Sequence, residues 1–137
     1  MSESALLPAS LQPPDIVLLA VAWESRAPLR AQLIEEGWDV VAVDTWPAMR
    51  RSLRPHVRPQ LAFVDLKDLP DPQRVLEDLA ILMKPARVCV LTALATVQPS
   101  TPARLGFRVL HRPIAIEQIV SALTSSLRQD AKANAVE

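Results

Sequence analysis

Residues 60–70 read QLAFVDLKDLP, an apolar run that ends directly on a carboxylate. The letters LAFV show no polar alternation, which is typical of a strand covered on both faces of a sheet. Asp65 follows at once. What surrounds this aspartate in the folded chain therefore decides what the stretch can do.

The same kind of apolar run occurs four more times, in DIVLLAVAW, WDVVAVDT, RVCVLTAL and FRVLHRP. Segments of helical period follow each run. Gly37 is expected to end the first helix, Thr45 to open the second, and Asp71 to cap the third before Pro72. Between the fourth and fifth runs there is room for only a short helix.

This (βα)₅ alternation predicts an α/β fold with a parallel sheet and helices on both faces. The simplest such arrangement is the flavodoxin-like, doubly wound sheet with strand order 2-1-3-4-5. Sites in these sheets lie at the carboxyl ends of the strands. Asp65 ends the third strand, so its place in the fold makes it a candidate site residue.

The composition excludes several classes of function. Lys plus Arg equals Asp plus Glu at 15 each, which gives no electrostatic argument for binding nucleic acid. The two glycines, Gly37 and Gly106, are too few for a glycine-rich phosphate loop. Cys89, the one cysteine, lies in an apolar run and is expected to be a buried structural thiol.

One domain is expected at residues 15–129, with a loose leader at 1–14 and a polar tail at 130–137. The longest apolar run has eight residues, which is too short to cross a bilayer. The leader lacks the basic region of a secretory signal, so a cytoplasmic location is expected. Whether the chain stands alone or is part of a longer regulator stays open.

Three strand ends together resemble the receiver domain of two-component response regulators, over residues 15–128. In that family an aspartate ending strand 3 accepts a phosphoryl group, and FVDLKDLP places Asp65 there. The segment VLTA supplies Thr92 where the family has a hydroxyl that contacts the phosphoryl group. The segment HRP supplies Arg112 and Pro113 where the family has lysine and a cis-proline. The resemblance implies a signalling protein and not an enzyme.

The acidic pair that holds Mg²⁺ in the family is missing. Counting back from Gly37, its two positions carry Ala20 and Val21, and the nearest acid is Glu24. Phosphoryl transfer to a carboxylate brings anions together, and a divalent cation offsets that repulsion. The sequence therefore predicts a degenerate receiver, or pseudo-receiver, that binds no metal or other cofactor.

The arginine at position 112 points the same way. Its planar fork suits bidentate pairing with a carboxylate, and an unpaired buried carboxylate is costly. We therefore expect an ion pair between Asp65 and Arg112. The aromatic residue that many receivers carry shortly before the lysine is also missing, since residues 109–111 read VLH.

The leading hypothesis is a module of a two-component or related pathway that acts through protein–protein contact. Its partner would be a histidine kinase, an output protein or another signalling component. The alternative is a working phosphorelay receiver phosphorylated on Asp65. A lesser alternative is a small-molecule or flavin binder, which would need an open apolar cleft lined by Ala20 and Val21.

Two surfaces are candidates for such contacts. Receivers commonly pair through the face made by helix 4, strand 4 and helix 5, so a homodimer through this face is possible. Here the face would carry Arg87, Arg104, Arg108 and Gln118. An exposed Trp23 beside the former acidic pocket would be an alternative anchor.

Overall fold

The computed structural model describes residues 12–55, 58–92 and 101–136, with the backbone alone beyond residue 129. In this part of the chain, five parallel strands form one sheet in the order β2-β1-β3-β4-β5. The predicted flavodoxin-like order is confirmed. The strands are β1 Ile16–Leu19, β2 Val40–Val43, β3 Leu61–Asp65, β4 Val88–Thr92 and β5 Arg108–His111.

A helix follows each strand, and the described part of α4 covers Thr101–Arg104. The rest of the interval in which a short helix was predicted, residues 93–100, lies outside the described residues. No helix in the three described ranges combines the length and apolar character needed to cross a membrane. The predicted leader at 1–14 falls almost entirely outside the described residues. The helices are α1 Trp23–Glu35, α2 Trp46–Arg51, α3 Pro72–Leu82, α4 Thr101–Arg104 and α5 Ile116–Val136, with a 3₁₀ turn at Pro85–Arg87.

The backbone of α5 continues to Val136, into the segment 130–137 that was predicted to be a polar tail, and the domain bounds stay a prediction. One prediction about local structure needs correction. Asp71 precedes α3 as predicted, but its side chain makes no capping hydrogen bond. Its φ of +54° puts the backbone in the left-handed region, whereas a capping side chain needs an extended backbone.

Two other helix boundaries follow the sequence signals. Thr45 Oγ1 accepts a hydrogen bond from the backbone N–H of Ala48 at 3.3 Å and so caps α2. Gly37, at φ +97°, ends α1 in a conformation that costs glycine little. Gly37 and Thr45 thus set the ends of the two helices that precede and follow β2, an edge strand of the sheet.

The sheet separates two apolar layers. Alternate strand residues such as Val17, Leu19 and Val64 pack under α2 and α3, while Leu18 and Phe63 pack under α1 and α5. The register pairs Leu19 with Val64, so the next residues, 20 and 65, are neighbours across the strands. By the two-residue period of a strand, Asp65 points to the α1–α5 side, as Phe63 does.

Cys89 is fully buried on that same side, which confirms the prediction of a buried thiol. Burial raises its pKa to about 12, against a smaller opposing effect of Arg108.

This shift predicts a loss of stability in alkali. Above pH 9 the unfolded chain releases the thiol proton while the folded chain retains it, so unfolding becomes more favourable as pH rises towards 12. The expected slope approaches about 1.4 kcal/mol per pH unit. Urea unfolding of the native chain and of Cys89→Ala from pH 8 to 11 measures it, because the alanine variant lacks this slope. Parallel pH profiles for the two proteins would refute the prediction.

Candidate functional site

Asp65 lies at the carboxyl edge of the sheet and is only 3% exposed. Its carboxylate receives two parallel hydrogen bonds from Arg112, Nη1 to Oδ1 at 2.6 Å and Nη2 to Oδ2 at 2.5 Å. The backbone N–H of Lys67 donates a third, to Oδ1 at 3.0 Å. The predicted ion pair is confirmed, and it occupies both carboxylate oxygens.

Arg112 directly follows β5, and its backbone N–H donates to the carbonyl of Thr92 at 3.0 Å. The bond from Arg112 to Pro113 is cis, as the resemblance implied. The hydrogen bond with Asp65 raises the pKa of the guanidinium, against the opposing effect of burial. The negative charges of Asp65 and, more weakly, Asp68 add to the increase. The arginine is therefore a permanent cation at this edge of the sheet.

Thr92 ends β4, between the strands that carry the two partners of the ion pair. It stands opposite His111 in the register, while Leu91 stands opposite Asp65. The ion pair thus joins the ends of β3 and β5 across the end of β4. The role of Thr92 as a phosphate contact stays a prediction.

Ala20 and Val21, the positions at which the resemblance predicts an acidic pair, lie on opposite faces of the sheet. Ala20 is 1% exposed and belongs to the α1–α5 layer, where it lines the same cavity as Asp65. Val21 packs against the α2–α3 layer instead. Only Ala20 therefore shares the immediate surroundings of the Asp65 carboxylate.

A second guanidinium at this edge was missed in the sequence. Nη1 of Arg26 donates to the carbonyl oxygens of Ala20 at 2.8 Å and Val21 at 3.1 Å. The same guanidinium lies 5.5 Å from the ring centroid of Trp23, which is 68% exposed. The spacing of three residues within one helix was the available signal, since such pairs share a face.

A cavity of about 190 Å³ opens beside the ion pair. Its walls are mainly apolar, from Leu29, Phe63, Ile114 and others, and Glu24 supplies a second carboxylate. The cleft predicted for a small-molecule binder would be lined by both Ala20 and Val21, but Val21 does not line this cavity. Ligand pockets usually measure roughly 300–1,000 Å³, so this cavity is small for a flavin.

The residues present do not fit a magnesium ion. Mg²⁺ demands near-octahedral oxygen ligation, usually with one or two carboxylates. Both oxygens of Asp65 already accept hydrogen bonds from Arg112, and Ala20 and Val21 offer no side-chain oxygen. That leaves the exposed Glu24 as the one other carboxylate that the described residues place on the wall of this cavity, too few ligands for the ion. In the ranges that the structure describes, no group of three His, Cys, Asp or Glu side chains is placed to hold a metal.

The remaining surface predictions concern the α4–β4–α5 face. β4 lies between β3 and β5 and is buried up to Leu91, so the strand at this edge of the sheet is β5 and not β4 as predicted. Arg108 of β5 is exposed, as are Arg104 and Gln118, and Arg87 is half-buried. Nη1 of Arg108 donates to the carbonyl of Ala122 and, at 2.8 Å, to Ser126, which ties this side chain to α5. A homodimer through this face stays a prediction.

Comparison with known proteins finds likeness in structure but not in sequence. No family model matches the chain, and no curated protein matches it. Among solved structures, the signal receiver domain of a LuxO repressor protein from Vibrio parahaemolyticus has a TM-score of 0.71 at 23% identity, covering 91% of this chain and 98% of that one. The receiver domain of the Francisella response regulator 1452 has a TM-score of 0.71 at 14% identity, with 85% and 98% covered.

A longer protein shows the same likeness. NtrX from Brucella abortus has a TM-score of 0.72 at 14% identity over 91% of this chain. The chain spans only 29% of the length of NtrX. Because the identities are all this low, these comparisons establish the fold alone: the chain has the fold of response-regulator receiver domains.

Proposed function

We propose that this chain is a receiver-like signalling module of a two-component or related pathway that acts through protein–protein contact. In this proposal Asp65 is not phosphorylated in a Mg²⁺-dependent reaction. The observation that carries the proposal is the bidentate ion pair between Asp65 and Arg112. The protein partner of this chain would be a histidine kinase, an output protein or another signalling component.

The ion pair opposes phosphorylation in two ways. A carboxylate that attacks phosphorus must present a free lone pair, whereas both oxygens of Asp65 accept charge-assisted hydrogen bonds. Freeing one oxygen would break a buried pair, which costs about 3–5 kcal/mol when a partner is removed outright. The acceptor is thus held in a form that is poorly nucleophilic.

Within the described residues, the site also lacks a free guanidinium to stabilise the phosphoryl group during its transfer. An incoming phosphoryl group is anionic, and catalysis of its transfer rests on cations and positioned donors around it. Arg112 is a cation, but it already neutralises Asp65. The guanidinium of Arg26 is engaged with backbone carbonyls on the neighbouring strand end. Ala20 and Val21 have no carboxylate with which to bind a divalent cation.

We predict that the chain binds neither Mg²⁺ at this edge nor a phosphoryl group on Asp65. Isothermal titration with millimolar MgCl₂ should give no saturable heat, and the tryptophan fluorescence of the chain, to which Trp23 contributes, should not change. Incubation with acetyl phosphate and Mg²⁺ should leave the intact mass unchanged. A receiver domain that retains its acidic pair, treated in parallel, serves as the positive control.

The opposite result has a clear signature. A hydroxylamine-labile adduct of one phosphoryl group, dependent on Mg²⁺ and absent from Asp65→Asn, would establish the working phosphorelay receiver instead. An adduct that persists in Asp65→Asn would lie elsewhere and would leave the proposal standing.

A further inference from the structure

A second and larger depression lies on the other face of the sheet, between α2 and α3 at the carboxyl edge. Its volume is about 670 Å³, within the roughly 300–1,000 Å³ usual for ligand sites. We call it the α2–α3 groove. Its apolar lining comes from Val21, Trp46, Pro47, Pro70 and Val75.

The charges around this apolar lining are unbalanced. Four aspartates and two arginines give the groove a net charge of −2, although the whole chain is neutral. In the described ranges, the one ion pair within 4 Å joins Asp65 to Arg112, so none of these aspartates is paired. The charged residues are Asp44, Asp68, Asp71, Asp78, Arg50 and Arg74.

Two details show that the groove is available to a partner. Asp44, Asp68 and Asp71 are exposed, and Asp68 acts on Arg112 only at longer range. Trp46 is half-buried against the α2–α3 layer, so part of its ring remains uncovered beside the exposed Pro47. Aromatic side chains of this kind are frequent anchors of protein interfaces.

We propose that the α2–α3 groove binds a basic segment of a partner protein. An aliphatic or aromatic side chain of that segment would contact Trp46 and Val21, while its lysine or arginine side chains would face the aspartates. The inference rests on the proposed function, because it gives the proposed protein contact a surface and a partner chemistry. Complementary charge would favour both encounter and orientation.

A second copy of this chain is a weaker candidate for the groove. Of the exposed basic residues, Arg104 and Arg108 lie on a different face, so a contact through them would join two unlike surfaces, whereas Arg51 and Arg54 lie next to the groove, beside Trp46 and Pro47. Head-to-tail contacts between unlike surfaces continue into rings or open filaments and do not stop at a pair. A contact through Arg51 and Arg54 would bring the four groove aspartates of the second copy as well, so we assign the groove to another protein whose basic segment carries no such aspartates.

The test uses a matched pair of short synthetic peptides with the same leucine and phenylalanine positions. One carries lysine and arginine between them, and the other carries glutamate. Titration of the full chain is followed by the ¹⁵N–¹H signal of the Trp46 indole, assigned with Trp46→Phe. The basic peptide should shift this signal saturably and bind more weakly at high salt, and the acidic peptide should not.

Charge variants predict effects of opposite sign. Asp44→Asn with Asp78→Asn should weaken binding of the basic peptide about three- to tenfold, whereas Arg50→Gln should tighten it about two- to threefold. Asp39→Asn is the matched control, because Asp39 is exposed at the amino end of β2, away from the groove. The Asp39→Asn variant should bind the basic peptide with the same affinity as the native chain. Urea unfolding of each variant confirms that the fold is retained.

Several results would overturn the inference. They are an unmoved Trp46 signal with the basic peptide, equal binding of the acidic peptide, or the same loss in Asp39→Asn as in the groove variants. Self-association in sedimentation that disappears in the Asp44→Asn, Asp78→Asn variant would assign the groove to a second copy. The acetyl phosphate assay on the same proteins is independent of this outcome, so failure of the groove and failure of the Asp65 proposal are told apart.

Discussion

Arg112→Ala is expected to destabilise the fold by about 3 kcal/mol, because it leaves the Asp65 carboxylate buried without its cation. The whole Asp65 side chain is 4% exposed and the Arg112 side chain 26%, so water can replace only part of what the guanidinium provides. The backbone N–H of Lys67 would remain as a hydrogen-bond donor to Asp65. Urea unfolding at neutral pH, with the slope compared between variants, measures the loss.

Two further variants separate charge from geometry. Arg112→Lys retains the positive charge but not the fork, and we expect a loss of about 1 kcal/mol. Adding Asp65→Asn to Arg112→Ala removes the unpaired charge and should recover at least half of the stability. If Arg112→Ala is as stable as the native chain, the ion pair is not what holds this edge of the sheet.

Ala20→Asp is expected to cost about 3–5 kcal/mol at neutral pH, because it places a second buried carboxylate beside Asp65. Ala20 is 1% exposed and lies in the neighbouring strand position. Arg112 already pairs with Asp65 through both terminal nitrogens, so it has little left to offer a new anion. The prediction tests whether this edge lacks the cation that an acidic pair would require.

The effect should depend on pH in a defined direction. The introduced carboxyl group would have its pKa raised in the folded state by burial and by the neighbouring anion. The part of the cost that comes from the charge is therefore full above that folded-state value and is lost below the ordinary value of an unfolded aspartate. Ala20→Asn is the neutral control of nearly equal size, and its cost should vary little with pH. If MgCl₂ restored Ala20→Asp to native stability, the site would have retained the capacity for a metal.

The ion pair gives Asp65 a structural role, and phosphorylation of this carboxylate would break the pair. The pair joins the ends of β3 and β5 across β4, and it neutralises the charge of Asp65. In the proposed function no charge changes at this edge. Regulation would then enter through contacts on the surface, which is why the α2–α3 groove and the exposed Trp23 are the places to examine.

Much of this architecture could be predicted from sequence because the signals are local and repeated. Uninterrupted apolar runs mark strands buried on both faces, and their alternation with helical segments leaves few topologies. The ion pair was predictable for a related reason. Topology brings the carboxyl ends of parallel strands to one edge, and Asp65 and Arg112 each follow such a run.

Sequence by itself predicted the strand order, a carboxylate, Asp65, at the end of β3, and the apolar residues Ala20 and Val21 after β1. Only the tertiary structure decided that Ala20 and Val21 face opposite layers, that Arg26 donates to their carbonyl oxygens, and that the α2–α3 groove carries unpaired aspartates. The physical reason is the separation along the chain between the residues that determine each feature. Burial periodicity is written into neighbouring residues, whereas the direction of a long charged side chain depends on partners that only the folded chain assembles.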